Sequence, residues 1–317
     1  MSNEFTSKSL IYYAIIVFIF FIIFDFLFGL SVKYYLNKYG NIEINYINNF
    51  QPHYVVLGSS TSKYSINPKY FNKKTYNASK NGEGFIYSYM MFKNLDKNKI
   101  KEIIISIDPI DLINDYKDKE SLSNLLKLIY FNNNYDLKKI ISKNLNYINY
   151  LKFSNLYNFK FFPYFVLDQI RFNNNKNYFG YTKLNGSVLK DENIETFDKN
   201  SCTKRIISKT NLKLLNEIFR LSKEKNISLI FHVTPIYLNS GNTQKIFRSY
   251  DQCNKNIINK ISKMISENNQ CNLMVNYPKE FIDFSKNKFY FYDRAHINSN
   301  GAITYSNILQ RWINENC

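Results

Sequence analysis

Tyr54-Val55-Val56-Leu57-Gly58-Ser59-Ser60-Thr61-Ser62 is an apolar, partly β-branched run that stops at a glycine and leaves hydroxyls in the first turn beyond it. The spacing predicts a strand over Tyr54 to Leu57. Open α/β sheets bind ligands outside the carboxyl ends of their strands, so these serines stand where such a sheet would do its chemistry. The plain alternative is that Ser59, Ser60, Thr61 and Ser62 only cap a following helix or turn.

Outward from that run, further strands are predicted at Thr75 to Asn77, Glu102 to Ile107, Ser228 to Val233 and Cys271 to Val275. Helical patterns lie at Gly84 to Leu95, Leu212 to Lys223, Asn254 to Glu267 and Ala302 to Asn314. Strands alternating with helices predict an α/β domain with a parallel sheet covered on both faces. From Leu112 to about Asn200 the alternation fails, in Tyr-, Phe- and Asn-rich segments such as Tyr147 to Phe162. This reads as an insertion, and insertions beside strand ends shape access to a site. Phe179-Gly180-Tyr181 and Asn185-Gly186 within it read as turns only, and the insertion's aromatic side chains as core more than as platforms for sugar rings. Thr234-Pro235 falls at the same sheet edge as Ser60, where Pro235 either lines a pocket or simply ends a strand.

The chain has 3 histidines. His53 precedes the first strand and His232 lies inside an apolar one, where a satisfied core histidine is the default. His296 stands in the polar run Tyr292-Asp293-Arg294-Ala295-His296. A carboxylate three residues before a histidine can turn onto Nδ1 and leave Nε2 free, the tautomer that accepts a proton from a serine. The competing reading has Asp293 capping the last helix and His296 in water. Ser60, His296 and Asp293 together are the three groups that nucleophilic acyl transfer requires.

Through Val55 to Ser60, Ser65-Ile66-Asn67-Pro68, Tyr76 to Gly82, Ile103 to Asp108 and Tyr292 to His296, the chain resembles the SGNH (GDSL-type) hydrolases. The likeness is greatest to the membrane-anchored, extracytoplasmic branch associated with bacterial surface polysaccharide and teichoic acid. It runs from about residue 50 to the C-terminus and is poor in the middle. It implies a flavodoxin-like three-layer sandwich, with Ser60 as nucleophile, His296 as general base and Asp293 as its orienting carboxylate. The backbone N–H groups of Ser60 and Gly82 would form part of an oxyanion hole, with Ser59, Asn81 and Asp108 about the pocket. Two departures stand out. Ser59 replaces the usual Asp of the Gly-Asp-Ser triplet, and Ile107-Asp108-Pro109 stands where a Gly-x-Asn-Asp block would follow the third strand. An ionised carboxylate donates no hydrogen bond, so a third oxyanion donor is missing from that block.

Leu10 to Val32 is almost wholly apolar, with Asp25 its only charge. At about 1.5 Å per residue it spans a hydrocarbon core of roughly 30 Å, and it reads as a transmembrane anchor. A cleaved signal peptide would have a shorter apolar region and a small-residue cleavage site, and Phe28-Gly29-Leu30-Ser31 is a poor substitute. Residues 1–9 form a short tail, 33–50 a polar tether and 51–317 the α/β domain. Lys8 precedes the span while Lys33 and Lys38 follow it, a bias against an outward domain. The outward orientation is what the resemblance implies.

The net charge of +17 comes with an abundance of Asn, Lys, Ile, Tyr and Phe, the bias an AT-rich genome imposes. No nucleic-acid-binding signature accompanies it, and nucleic acid is not an expected partner. The charge favours an anionic surface such as a phosphate-bearing glycan or lipid headgroups. Cys202, Cys253, Cys271 and Cys317 match no zinc spacing, and no cofactor is called for. Cys253 and Cys271 flank one predicted helix, leaving a bridge between them open; four free thiols, Cys317 above all, is the equal alternative.

Two functions follow from this reading. The first is an enzyme in which Ser60 takes an acyl group, acetyl for preference, and passes it to a hydroxyl of a surface polymer or to water. A multi-spanning membrane acyltransferase would supply the acyl group. The second is a catalytically inactive protein of the same fold that binds envelope polymer or scaffolds such an acyltransferase.

Overall fold

The computed structural model describes residues 2–35, 42–82, 84–113, 178–189, 206–237, 256–273 and 279–317. It divides into two units, Met1–Ile42 with Leu122–Arg171, and Glu43–Ser121 with Phe172–Cys317. In the first unit the described element is helix α1, Ser2–Tyr35. Its stretch Ser9–Ser31 is long and apolar enough to cross a membrane. Large apolar side chains from Leu10 to Leu30 are exposed all along it, and the Ser31 hydroxyl is satisfied within the helix by the Leu27 carbonyl at 3.0 Å. A helix apolar on every face has no preferred side to bury in a soluble core.

The second unit is an α/β domain built on five parallel strands. Its chain order is α2 (Ile42–Phe50), β1 (Tyr54–Leu57), α3 (Ser60–Ser65), β2 (Thr75–Asn77), α4 (Phe85–Asn94), β3 (Glu102–Ser106), α5 (Pro109–Ile113), α6 (Lys209–Lys225), β4 (Ser228–His232), α7 over residues 256–267, β5 (Cys271–Asn272), α8 (Lys279–Lys286) and α9 (Ser299–Asn316). The sheet order is β2-β1-β3-β4-β5. Val56 pairs with Ile104, and Ile104 with Ile230, which fixes the register across the three central strands. The chain leaves β1 toward β2 on one side and returns to β3 on the other. Such a reversal opens a crevice at the carboxyl ends of β1 and β3.

Strand alternation assigns the two faces. Tyr54, Val56, Ile104 and Ile230 join Phe281 and Phe284 of α8 and Tyr305, Leu309 and Trp312 of α9 in one core. Val55, Leu57, Ile103, Ile105, Leu229 and Phe231 are equally buried on the other face, where Phe231 meets Phe219 of α6 at 5.6 Å between ring centroids. Helix α6 packs on α4, and the Lys225 ammonium closes the end of α4 by donating to the carbonyls of Phe92, Lys93 and Leu95. Those are the carbonyls a helix end leaves without partners.

The segment expected as a polar tether is corrected in two places. Helix α1 continues through residues 33–35, and residues 42–50 form α2. Ile44 and Ile47, one turn apart, are buried, while Tyr46 and Phe50 stack on one another and meet Tyr76. An Asn-rich stretch looks solvated by composition, but two isoleucines at helical spacing are enough to dock it.

Cysteine pairing is corrected as well. Cys271 of β5 bridges Cys317 beyond the end of α9, with 5.5 Å between Cα atoms. The bridge left open between Cys253 and Cys271 is therefore excluded, and Cys317 is not free. Cys202 and Cys253 lie outside the described residues, as do Tyr147 to Phe162 and the last residues expected in β5.

The Phe179-Gly180-Tyr181 turn is more than a turn. The Phe179 carbonyl accepts from the Asn77 N–H at 2.9 Å at the edge of β2, and Tyr181 is buried in the core. Gly180 has φ +83°, and a Cβ there would stand 2.0 Å from the Asn77 carbonyl oxygen, so only glycine fits.

Candidate active site

Each part of the site is set by a short local rule. Strand β1 ends at Gly58, where a Cβ would meet the Ser62 Oγ at 2.6 Å and the Ser106 Cβ at 2.9 Å. Glycine lets the chain turn tightly from strand into α3. Ser59 occupies the N-cap position with extended backbone, yet its side chain makes no capping bond; its Oγ lies 3.2 Å from that of Thr61. Ser60 is the first residue of the helix, just beyond the carboxyl end of β1.

At the other end of the chain, Phe291 and Ile297 bridge as antiparallel partners and close a tight loop between them. Inside it, Asp293 Oδ1 accepts from the backbone N–H groups of Ala295 and His296, both at 2.8 Å. The same carboxylate meets His296 Nδ1 at 2.8 Å through Oδ2 and 3.0 Å through Oδ1. Burial pushes the Asp293 carboxyl upward, but the hydrogen bonds from His296 and the two backbone N–H groups outweigh it and hold the carboxyl below its ordinary range. The remaining ring nitrogen, His296 Nε2, lies 2.9 Å from Ser60 Oγ. Asp293, His296 and Ser60 thus form one continuous hydrogen-bonded chain.

The other candidate residues lie around this chain at differing distances from it. Gly82 is exposed in the loop after β2 with φ +69°. That loop is held to the first strand by the Lys80 N–H, which donates to the Gly58 carbonyl at 3.0 Å. Asn81 beside it donates its side-chain amide to the Tyr64 hydroxyl. Pro235 is buried in the exit from β4, where Thr234 Oγ1 lies 3.0 Å from Ser106 Oγ and Tyr237 N–H donates to the Arg294 carbonyl at 2.9 Å. Ser59 and Asp108 line a small pocket with Gly58, Ser106 and Asp111. The pocket reaches Ser59, the neighbour of Ser60 in sequence, but Ser60, His296 and Gly82 do not line it.

Three features of the site escape a reading of local pattern. Tyr64 stands one turn beyond Ser60 and places its ring perpendicular to that of His296, at 88° and 5.3 Å. The i, i+4 spacing from Ser60 was the available signal. Asp111, in the first turn of α5, shares the pocket with Ser59 and Asp108; burial, then the neighbouring charge of Asp108, raises its carboxyl to about 7 against a hydrogen bond from Ser59 that lowers it. Residues 182–188 cross the site, with Thr182 N–H donating to the Lys63 carbonyl at 3.3 Å and Val188 N–H to the Tyr292 carbonyl at 2.7 Å.

The other two histidines play no part in this chain. His232 is fully buried with Nδ1 at 3.0 Å from the Tyr305 hydroxyl, and burial lowers it to about 4, so it stays neutral. His53 stands at the amino end of the sheet, 2.9 Å from Glu102. No family model matches the chain, no curated protein matches its sequence, and no solved structure matches its fold.

Proposed function

We propose that this chain is a serine-dependent acyl-transfer protein of the SGNH (GDSL-type) superfamily, acting on esters of a cell-surface glycan or related envelope polymer. The observation that carries the reading is the chain Asp293–His296–Ser60, closed at 2.8 and 2.9 Å between groups 236 residues apart. The β2-β1-β3-β4-β5 order, which is that of flavodoxin-like sheets, supports it.

In this reaction Ser60 Oγ attacks the acyl carbonyl carbon while His296 Nε2 takes its proton. Asp293, held as a carboxylate, orients the ring and stabilises the imidazolium. The backbone N–H groups of Ser60 and Gly82 face the oxyanion. His296 then returns the proton to the departing alcohol oxygen, leaving the acyl group on Ser60. A sugar hydroxyl or water, deprotonated by the same Nε2, takes the acyl group and restores the serine. Which acceptor prevails depends on how far the site excludes water.

The N-terminal helix would hold this chemistry at a membrane, with the domain outside the cytoplasm. The Cys271–Cys317 bridge supports that side, because disulfides persist in oxidising compartments. A multi-spanning acyltransferase is the proposed source of acyl groups.

The test is labelling of the full chain in detergent with a fluorophosphonate probe, beside Ser60→Ala and a heat-denatured control. Labelling should require Ser60 and native structure. Ser60→Ala and His296→Ala should each lower ester turnover by about 10³-fold or more, with Asp293→Asn close behind. Equal activity in Ser60→Ala and Ser59→Ala would end the assignment of the nucleophile. A folded chain that never labels would favour a polymer-binding protein lacking catalysis, as Asp108 at the place of an oxyanion donor also would.

A further inference from the structure

Ser60 and Tyr64 are four residues apart on α3, so their side chains leave the same face of the helix. Both reach His296, Ser60 through its hydroxyl at Nε2 and Tyr64 through its ring. The Tyr64 hydroxyl in turn accepts from the amide of Asn81, the residue before Gly82. One side chain therefore touches all three segments from which the proposed site is assembled: the helix of the nucleophile, the loop of the base and the loop of the oxyanion donor.

A base that serves two steps must stay in place when its bond to the serine breaks. In acyl transfer, His296 gives up its bond to Ser60 Oγ when it turns its proton to the leaving oxygen. Between those two partners the ring is held by the hydrogen bond that its Nδ1–H donates to Asp293, about which the imidazole can swing. A perpendicular aromatic ring at 5.3 Å closes one side of that swing. The loop bearing Gly82 has the opposite need. It is exposed, and among its ties are the Lys80–Gly58 backbone bond and the Asn81–Tyr64 bond.

We propose that Tyr64 is a positioning residue of the Ser60 centre, its ring confining the His296 imidazole and its hydroxyl, through Asn81, holding the Gly82 loop over the nucleophile. The proposal rests on the acyl-transfer reading and extends it to a residue outside the triad. It separates the two halves of one side chain, so Tyr64→Phe and Tyr64→Leu should behave differently.

The experiment measures fluorophosphonate labelling rates for the full chain in detergent, with Tyr64→Phe, Tyr64→Leu, Asn81→Ala and the Tyr64→Phe/Asn81→Ala pair, beside Ser60→Ala. The imidazole ¹⁵N–¹H signals are recorded on the same proteins, which contain 3 histidines. Tyr64→Phe and Asn81→Ala should each slow labelling about 10-fold, and the pair no more than either alone. The His296 Nδ1–H signal should be unchanged in all three. Tyr64→Leu should slow labelling about 100-fold and broaden that signal, a change that a purely structural loss would not confine to one histidine. Wild-type labelling with a sharp Nδ1–H signal in folded Tyr64→Leu would overturn the proposal; additive losses in the pair would overturn its loop half. Should Tyr64→Leu not fold, Tyr64→Phe and Asn81→Ala labelling at the wild-type rate would do so. If labelling is independent of Ser60 in every variant, the acyl-transfer reading fails, whereas the Nδ1–H signal still decides whether Tyr64 confines the ring.

Discussion

Asp293 shows how much one carboxylate does in a tight loop. Two backbone N–H groups and one imidazole N–H converge on it, so it shapes the loop and sets the tautomer with the same two oxygens. The Asp-x-x-His spacing made this pair legible from sequence, because the contact is local. Asp111 was not legible, since the pocket around it is assembled from Gly58 and Ser59 after β1, Ser106 at the end of β3 and Phe85 and Ser88 of α4. Its carboxyl titrates at about 7 when folded, against an ordinary 3.8. Between those values the folded chain binds the extra proton, so the native state loses stability as pH rises toward 7. Asp111→Asn should therefore melt at higher temperature than wild type at pH 8 and at the same temperature at pH 4, read by thermal denaturation. A difference that does not change with pH would mean that the carboxylate is not strained in the pocket.

Among the elements, the three central strands and helices α4, α6 and α9 fall within a few residues of their sequence patterns. Runs of apolar residues between glycine or asparagine breaks are a local signal, and burial on both sides of a parallel sheet reinforces it. The short helices were missed for a physical reason. Helix α3 has six residues, all of them hydroxylated or basic, and shows no apolar period; it forms because the Gly58 turn delivers it against α9. Helix α2 hides two core isoleucines in an Asn-rich stretch. Its docking predicts that Ile47→Ala costs about 2–4 kcal/mol of stability, while Asn45→Ala on its exposed face costs almost nothing. Equal melting of the two variants would show that α2 is not part of the domain.

At the scale of the whole molecule, the Cys271–Cys317 bridge ties the edge strand β5 to the end of α9 across 46 residues. Closing a loop of that length contributes about 4 kcal/mol by restricting the unfolded chain. Cys271→Ala, Cys317→Ala and the double variant should lose that amount equally in denaturant titrations. A double variant less stable than either single one would mean the two cysteines stabilise the fold separately.

By itself the sequence determined the apolar N-terminal span, the strand edges, the glycine after β1 and the Asp293–His296 pair. Each depends on residues within a turn or two of one another, where spacing and side-chain chemistry suffice. The tertiary structure alone decided that His296 meets Ser60, that Cys271 meets Cys317, that Tyr64 faces the imidazole and that residues 182–188 cross the site. Those contacts join segments far apart in the chain. Their partners are chosen by strand order and by which faces the sheet leaves for the helices, and no local period encodes that choice.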